Sequence, residues 1–218
     1  MTDSETRRPP PRLYSPIIES AVRLAARGHY HQFRKRDEDA EGSAVPDAPL
    51  PADLIPYITH LMGTMSILAR LGASDDVLAA AALHDYLEDV PDPDGRRRIR
   101  EMTSSAVLEL VLAVTENKRP ELGREETWEI RKREQLADIA TMPIGAVLIK
   151  GADMLHNLLS LEKDLAETET RTTIWERFNA PRDLQLWYFS SVLDAVRRRL
   201  GDHPLVADLA AAVHRLGG

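Results

Sequence analysis

The sequence predicts an all-α protein, on three observations. Ala, Leu, Arg and Glu dominate the 218 residues, and all four favour helix. Apolar residues recur at helical spacing through most of the chain. No segment sustains period-two alternation of β-branched residues, so no sheet is expected.

Residues 1–15 read as a flexible arm, polar and Pro-rich as far as Arg12 and without the apolar core of a signal peptide. Pro16 suits the first position of a helix, and Ile17, Ile18, Ala21, Val22, Leu24 and Ala25 give that helix one apolar face until Gly28. Residues 36–55 hold acids, Gly42, Pro46, Pro49 and Pro51 and read as an inserted loop, long for a compact domain. A helix over 57–71 stops at Gly72. Ser74 then caps a continuous helix from Asp75 to about Asp89, which Pro91 and Pro93 end. Helical patterns follow over 96–116, 124–140, 143–163, 170–178, 182–200 and 204–216. The last places Leu205, Leu209, Ala212, Val213 and Leu216 on one face and is expected to pack in cis. The whole reads as one domain over 16–218.

Composition narrows the function. At 43% hydrophobic residues the chain can bury one sizeable core. It has no cysteine, so disulfides and thiolate metal sites are excluded, and any metal must use His, Asp and Glu. A net charge of −7 argues against a general nucleic-acid binder. The clusters Arg96-Arg97-Arg98, Arg131-Lys132-Arg133 and Arg197-Arg198-Arg199 are expected to be solvated helix faces. No apolar run approaches the length of a membrane span. A cytoplasmic protein that binds neither membrane nor nucleic acid is the expectation.

The informative stretch is Ala79-Ala80-Ala81-Ala82-Leu83-His84-Asp85-Tyr86-Leu87-Glu88-Asp89. Four ionisable residues follow directly on an apolar run that should be buried. On one helix at about 100° per residue, Glu88, Asp85 and Asp89 fall about 40°, 100° and 140° from His84, on a single side. Unpartnered buried carboxylates are costly, so a cation is expected beside them. His60 and Asp153 are the other polar groups inside apolar helical stretches, and Asn157 lies one turn beyond Asp153. His60, His84, Asp85 and Asp153 supply two imidazoles and two carboxylates, a set that leaves water positions open on a six-coordinate ion such as Mn²⁺ or Fe²⁺, with Zn²⁺ a further candidate. Such an ion lowers the pKa of water and polarises a phosphoryl oxygen, which is hydrolase chemistry. Glu88 and Asp89 are better placed for general acid/base work than for ligation.

These residues resemble the HD superfamily of metal-dependent phosphohydrolases, in which a first His, an adjacent His-Asp and a distant Asp recur. His84-Asp85-x-x-Glu88-Asp89 looks like the hydrolase domain of the RelA/SpoT alarmone enzymes. His31-Gln32-Phe33-Arg34-Lys35, Pro56-Tyr57-Ile58-Thr59-His60 and Lys150-Gly151-Ala152-Asp153-Met154-Leu155-His156-Asn157 are similar to three further segments of that family, and Val114-Thr115-Glu116-Asn117-Lys118 is a fainter echo of a fourth. The resemblance covers about residues 17–200 and leaves no room for the family's mixed α/β synthetase domain.

The resemblance implies a single HD-type domain of about ten helices and one Mn²⁺ held by His60, His84, Asp85 and Asp153. It implies removal of the 3′-pyrophosphate of guanosine tetra- or pentaphosphate, giving GDP or GTP and pyrophosphate. Glu88 and Asp89 would then be catalytic. Arg34 would stack on the base, Lys35 would meet phosphate, and Asn157 and Lys118 would contact the nucleotide. An adenosine alarmone, NADPH or a deoxynucleotide are the alternative substrates, and a non-catalytic nucleotide-binding module is the alternative of another class. The chain departs from the pattern in the 36–55 insertion, in Leu61, which stands where a proline is usual, and in Gly151, which stands where a leucine is usual.

Overall fold

The computed structural model describes residues 13–34, 54–118, 124–167, 174–176 and 178–217. Lys35 and most of the 36–55 insertion lie outside the described residues, as do residues 1–12. Pro16 opens α1 (Pro16–Gly28), which buries Ala21, Leu24 and Ala25. Its last residue must be glycine: a Cβ on Gly28 would lie 2.5 Å from the Tyr86 ring. Beyond it, β1 (Phe33–Arg34) pairs antiparallel with β2 (Ile55–Pro56), Phe33 opposite Pro56 and Arg34 opposite Ile55. The expectation of no sheet is corrected to this extent. Two-residue strands are too short to show alternation, but they bring Arg34 to the foot of α2 (Ile58–Arg70). Gly72, at φ 72°, turns the chain after α2.

The predicted helix over 75–89 is broken. α3 (Asp75–Ala82) ends in a turn at Leu83-His84-Asp85, and α4 (Tyr86–Asp89) follows as a single turn. The physical cause is the His84 side chain. Its Nδ1 donates to the Ala81 carbonyl at 2.8 Å, the carbonyl that the Asp85 N–H would bond in a continuing helix. The chain goes on through α5 (Gly95–Met102) and α6 (Ser105–Val114), where one helix was expected over 96–116. Ser104 separates them, and its hydroxyl caps α6 by accepting from Val107 N at 3.1 Å. α7 (Arg124–Ile139), α8 (Ile144–Glu167), α9 (Arg182–Leu200) and α10 (Pro204–Gly217) follow among the described residues, and most of the helical pattern expected over 170–178 lies outside them.

α8 is the spine, packed against α2, α3, α6, α9 and α10. By length and composition it could cross a membrane, but 56% of its apolar window is buried against these neighbours. The small residues Ala79 to Ala82 are fully buried and let α1, α2 and α6 close on α3. Gly151 does the same for α10, since a Cβ there would lie 2.9 Å from Leu205. α10 buries Leu205, Leu209, Ala212 and Leu216 within the chain, as its amphipathic pattern requires.

The basic clusters are not simply solvated faces. Arg131 is buried against Glu116, and Arg199 donates to the carbonyls of Ile139 and Met142 at the end of α7. Arg97, by contrast, pairs with Asp94 and Glu101 on an exposed surface.

Candidate metal centre and acid pair

Each donor reaches the centre by a separate local route. His60 stands in the first turn of α2, His84 and Asp85 in the turn between α3 and α4, and Asp153 in the middle of α8. His60 Nε2 lies 3.2 Å from His84 Nε2, 3.6 Å from Asp85 Oδ2 and 3.2 Å from Asp153 Oδ1. His84 Nε2 lies 3.1 Å from Asp85 Oδ2 and 3.7 Å from Asp153 Oδ1. Donors ~2.1 Å from one ion stand ~3.0 Å apart at right angles and ~3.4 Å apart at tetrahedral angles. The spacings here, 3.1 to 3.7 Å, lie close to those values; His60, His84 and Asp85 form a set that could hold a divalent metal, and Asp153 approaches it from the side of the two histidines. The bond from His84 Nδ1 to Ala81 O orients the ring so that Nε2, the nitrogen left for a metal, faces the other donors.

The electrostatics agree. Burial works against the charge of Asp85, yet His84 and His60 hold its carboxyl well below the usual range. Burial likewise opposes ionisation of Asp153, and His60, His84 and Lys150 overcome it. His84 is pushed well above the ordinary imidazole value because the two carboxylates outweigh its burial. Two anions in a buried site call for positive charge there, which a divalent ion provides.

The acid pair adjoins this centre. Tyr57 links the two, its hydroxyl 2.7 Å from Asp85 Oδ2 and 3.2 Å from Asp89 Oδ2. Lys118 binds the Asp89 carboxylate and the Glu88 carbonyl. Glu88 Oε1 accepts from Glu116 N at 2.7 Å. Burial and the neighbouring Asp85 raise the Glu88 pKa to about 7.

Arg34 is held along the edge of its guanidinium. Its Nη2 donates to Asn157 Oδ1 at 3.0 Å, and its Nη1 lies 3.1 Å from His156 Nδ1. Asn157 Nδ2 in turn donates to Asp153 Oδ1 at 2.7 Å. Lys150 is buried and sits 3.7 Å from Asp153 Oδ2, so it is no helix-surface residue.

Tyr57, His156, Glu116, Arg131 and Lys132 have no assigned part in the sequence reading. His156 Nδ1 lies 2.9 Å from His60 Nδ1, and burial together with His60 and Arg34 lowers the His156 pKa to about 4. Its spacing, one turn after Asp153, was the available signal. Glu116 and its cations carried none, because they pair across 15 and 16 positions.

Fold and donor set together define the class: an all-α domain built around a His/Asp metal centre. Residues 49–183 match the family model described as HD domain. The chain belongs to the HD domain family. Human guanosine-3′,5′-bis(diphosphate) 3′-pyrophosphohydrolase MESH1 is 33% identical over 165 residues, 74% of this chain and 78% of that protein. The Haemophilus influenzae guanosine-3′,5′-bis(diphosphate) 3′-pyrophosphohydrolase is 31% identical over 106 residues, 49% of this chain but 15% of that longer protein. A solved metazoan ortholog of SpoT, described as hydrolysing ppGpp, superposes with a TM-score of 0.68 at 26% identity over 95% of this chain and 99% of its own.

Proposed function

We propose that this chain hydrolyses the 3′-pyrophosphate of guanosine tetra- and pentaphosphate, with His60, His84, Asp85 and Asp153 holding one Mn²⁺. The observation that carries the reading is the acid pair Glu88-Asp89 tied by Tyr57 to the donor cluster. The activities named for the human and Haemophilus relatives support the substrate class. When bound, the ion supplies charge that polarises a phosphoryl oxygen and acidifies a water.

Asp89, held by Lys118 and Tyr57, orients the attacking water. Glu88 takes its proton at Oε2, the oxygen that the Glu116 N–H does not engage. The water oxygen bonds to phosphorus, the bond to the ribose 3′ oxygen breaks, and that oxygen takes up a proton as pyrophosphate leaves. Arg34, gripped by its edge, stacks on the base. Lys35 meets phosphate, and Asn157 and Lys118 contact the nucleotide. A guanidinium stacks on either purine, so the proposal extends to adenosine alarmones.

The test gives the Mn²⁺-loaded protein guanosine tetraphosphate, its adenosine analogue and NADPH in parallel. Pyrophosphate from an alarmone, abolished by chelator and by Asp85→Ala, is expected. Phosphate from NADPH alone overturns the proposal.

A further inference from the structure

Residues 115–118 follow α6 as an irregular segment that runs past the acid pair. This segment touches both acids. The Glu116 N–H donates to Glu88 Oε1 at 2.7 Å, and Lys118 binds the Asp89 carboxylate. The Glu116 side chain points away from Glu88 into a buried polar network. Its carboxylate takes Arg131 on one oxygen and Lys132 Nζ on the other at 2.6 Å. Arg131 is braced by Thr127 Oγ1 at 3.2 Å, and Lys132 lies over the Tyr188 ring, 5.1 Å from its centroid. Gln135 closes the network by accepting from the Tyr188 hydroxyl at 2.7 Å. The segment beside the acids is thereby fixed to α7 and α9.

A buried carboxylate with one buried and one partly buried cation is a poor source of stability, because apolar residues of similar size often do as well or better. What the network achieves is placement: Glu116 cannot shift without breaking two ion pairs, and its N–H sets where Glu88 Oε1 lies. We propose that Glu116 is a positioning residue, anchored by Arg131 and Lys132, that fixes the Glu88 carboxylate for proton transfer. The inference rests on the hydrolase reading for its kinetic consequence, but not for its geometry.

In Glu116→Gln the backbone N–H stays, while Arg131 and Lys132 lose the carboxylate that ties the segment to α7. Glu116→Asp keeps the charge on a shorter side chain.

The experiment follows the backbone amide at position 116 by NMR hydrogen exchange in the metal-free full chain. In Glu116→Gln this amide should exchange about tenfold or more faster than in the parent, while amides in the middle of α8 keep their protection, and Glu116→Asp should recover part of the protection. In the Mn²⁺ enzyme, Glu116→Gln should lower kcat about tenfold with KM held within about twofold. An unchanged exchange rate at position 116 in Glu116→Gln overturns the proposal, even where the melting temperature falls. If the parent chain releases no pyrophosphate, the hydrolase reading fails, and the exchange measurement still decides whether Glu116 holds the segment against Glu88.

Discussion

The Tyr57 hydroxyl donates to Asp85 Oδ2 at 2.7 Å, which makes the first residue of the helix-entry turn a direct support of a candidate metal ligand. The same oxygen stands 3.2 Å from Asp89 Oδ2, so one side chain spaces the donor cluster from the acid pair. The buried His29 ring stacks on Tyr57 with centroids 5.0 Å apart and holds the phenol in place. Tyr57→Phe keeps the ring and deletes only this link. Losses of about 10- to 100-fold in metal affinity or turnover are typical when such an outer hydrogen bond goes. Mn²⁺ titration calorimetry beside steady-state kinetics should show a loss of that size with an unchanged melting temperature. A wild-type metal affinity and kcat would contradict it.

The raised pKa of Glu88 has a sign that can be checked in the metal-free protein. Burial and Asp85 favour the neutral carboxyl, with a folded-state value of about 7. A folded pKa above the unfolded one gives a contribution fully present below the unfolded value and lost as pH climbs through the folded one. Glu88 therefore weakens the fold above about pH 7. Glu88→Gln should melt about 2–6 °C higher than the parent at pH 8 and equal to it at pH 4, by differential scanning calorimetry. Bound metal adds positive charge nearby, so the acid limb of kcat in the loaded enzyme should lie below the metal-free midpoint.

Gly63 on α2 packs against His156 on α8. A Cβ there would lie 2.2 Å from His156 Cδ2 and Nε2. His156 also faces His60 Nδ1 and Arg34, so it cannot yield without moving a candidate ligand. Gly63→Ala is expected to lower turnover about 100-fold, the cost of a displacement near 1 Å at a reacting centre. Adding His156→Ala should return the melting temperature lost in Gly63→Ala, because it removes the side chain in collision.

What the sequence disclosed divides along a physical line. Helices declare themselves through local periodicity, and α1, α2, α7, α9 and α10 lie where that pattern puts them. The convergence of His60, His84, Asp85 and Asp153 was legible because ionisable residues beside apolar runs demand a partner. The break before His84 was not. Ala79 to Ala82 favour helix, and only the side-chain bond to Ala81 O ends it. Arg131 and Lys132 read as solvent-facing because their counter-charge, Glu116, lies on another element. Arg34 meets His156 and Asn157 across more than 120 positions, which no local pattern encodes.

Gly151 is the place where a departure from the family pattern acquires a packing cause. A Cβ there would sit 2.9 Å from Leu205 Cδ2 and 3.4 Å from Val196 Cγ1, so α10 and α9 occupy the space a larger residue would fill. Gly151→Leu overpacks the spine helix two residues before Asp153, and overpacking of this kind costs about 1–3 kcal/mol. Chemical denaturation should show a loss in that range. Leu205→Ala alone opens a cavity and should cost about 2–5 kcal/mol. Combined, the two should lose less than the sum of the single variants, because the new leucine fills the volume that Leu205 vacates. Strict additivity would mean that Gly151 and Leu205 do not share that space.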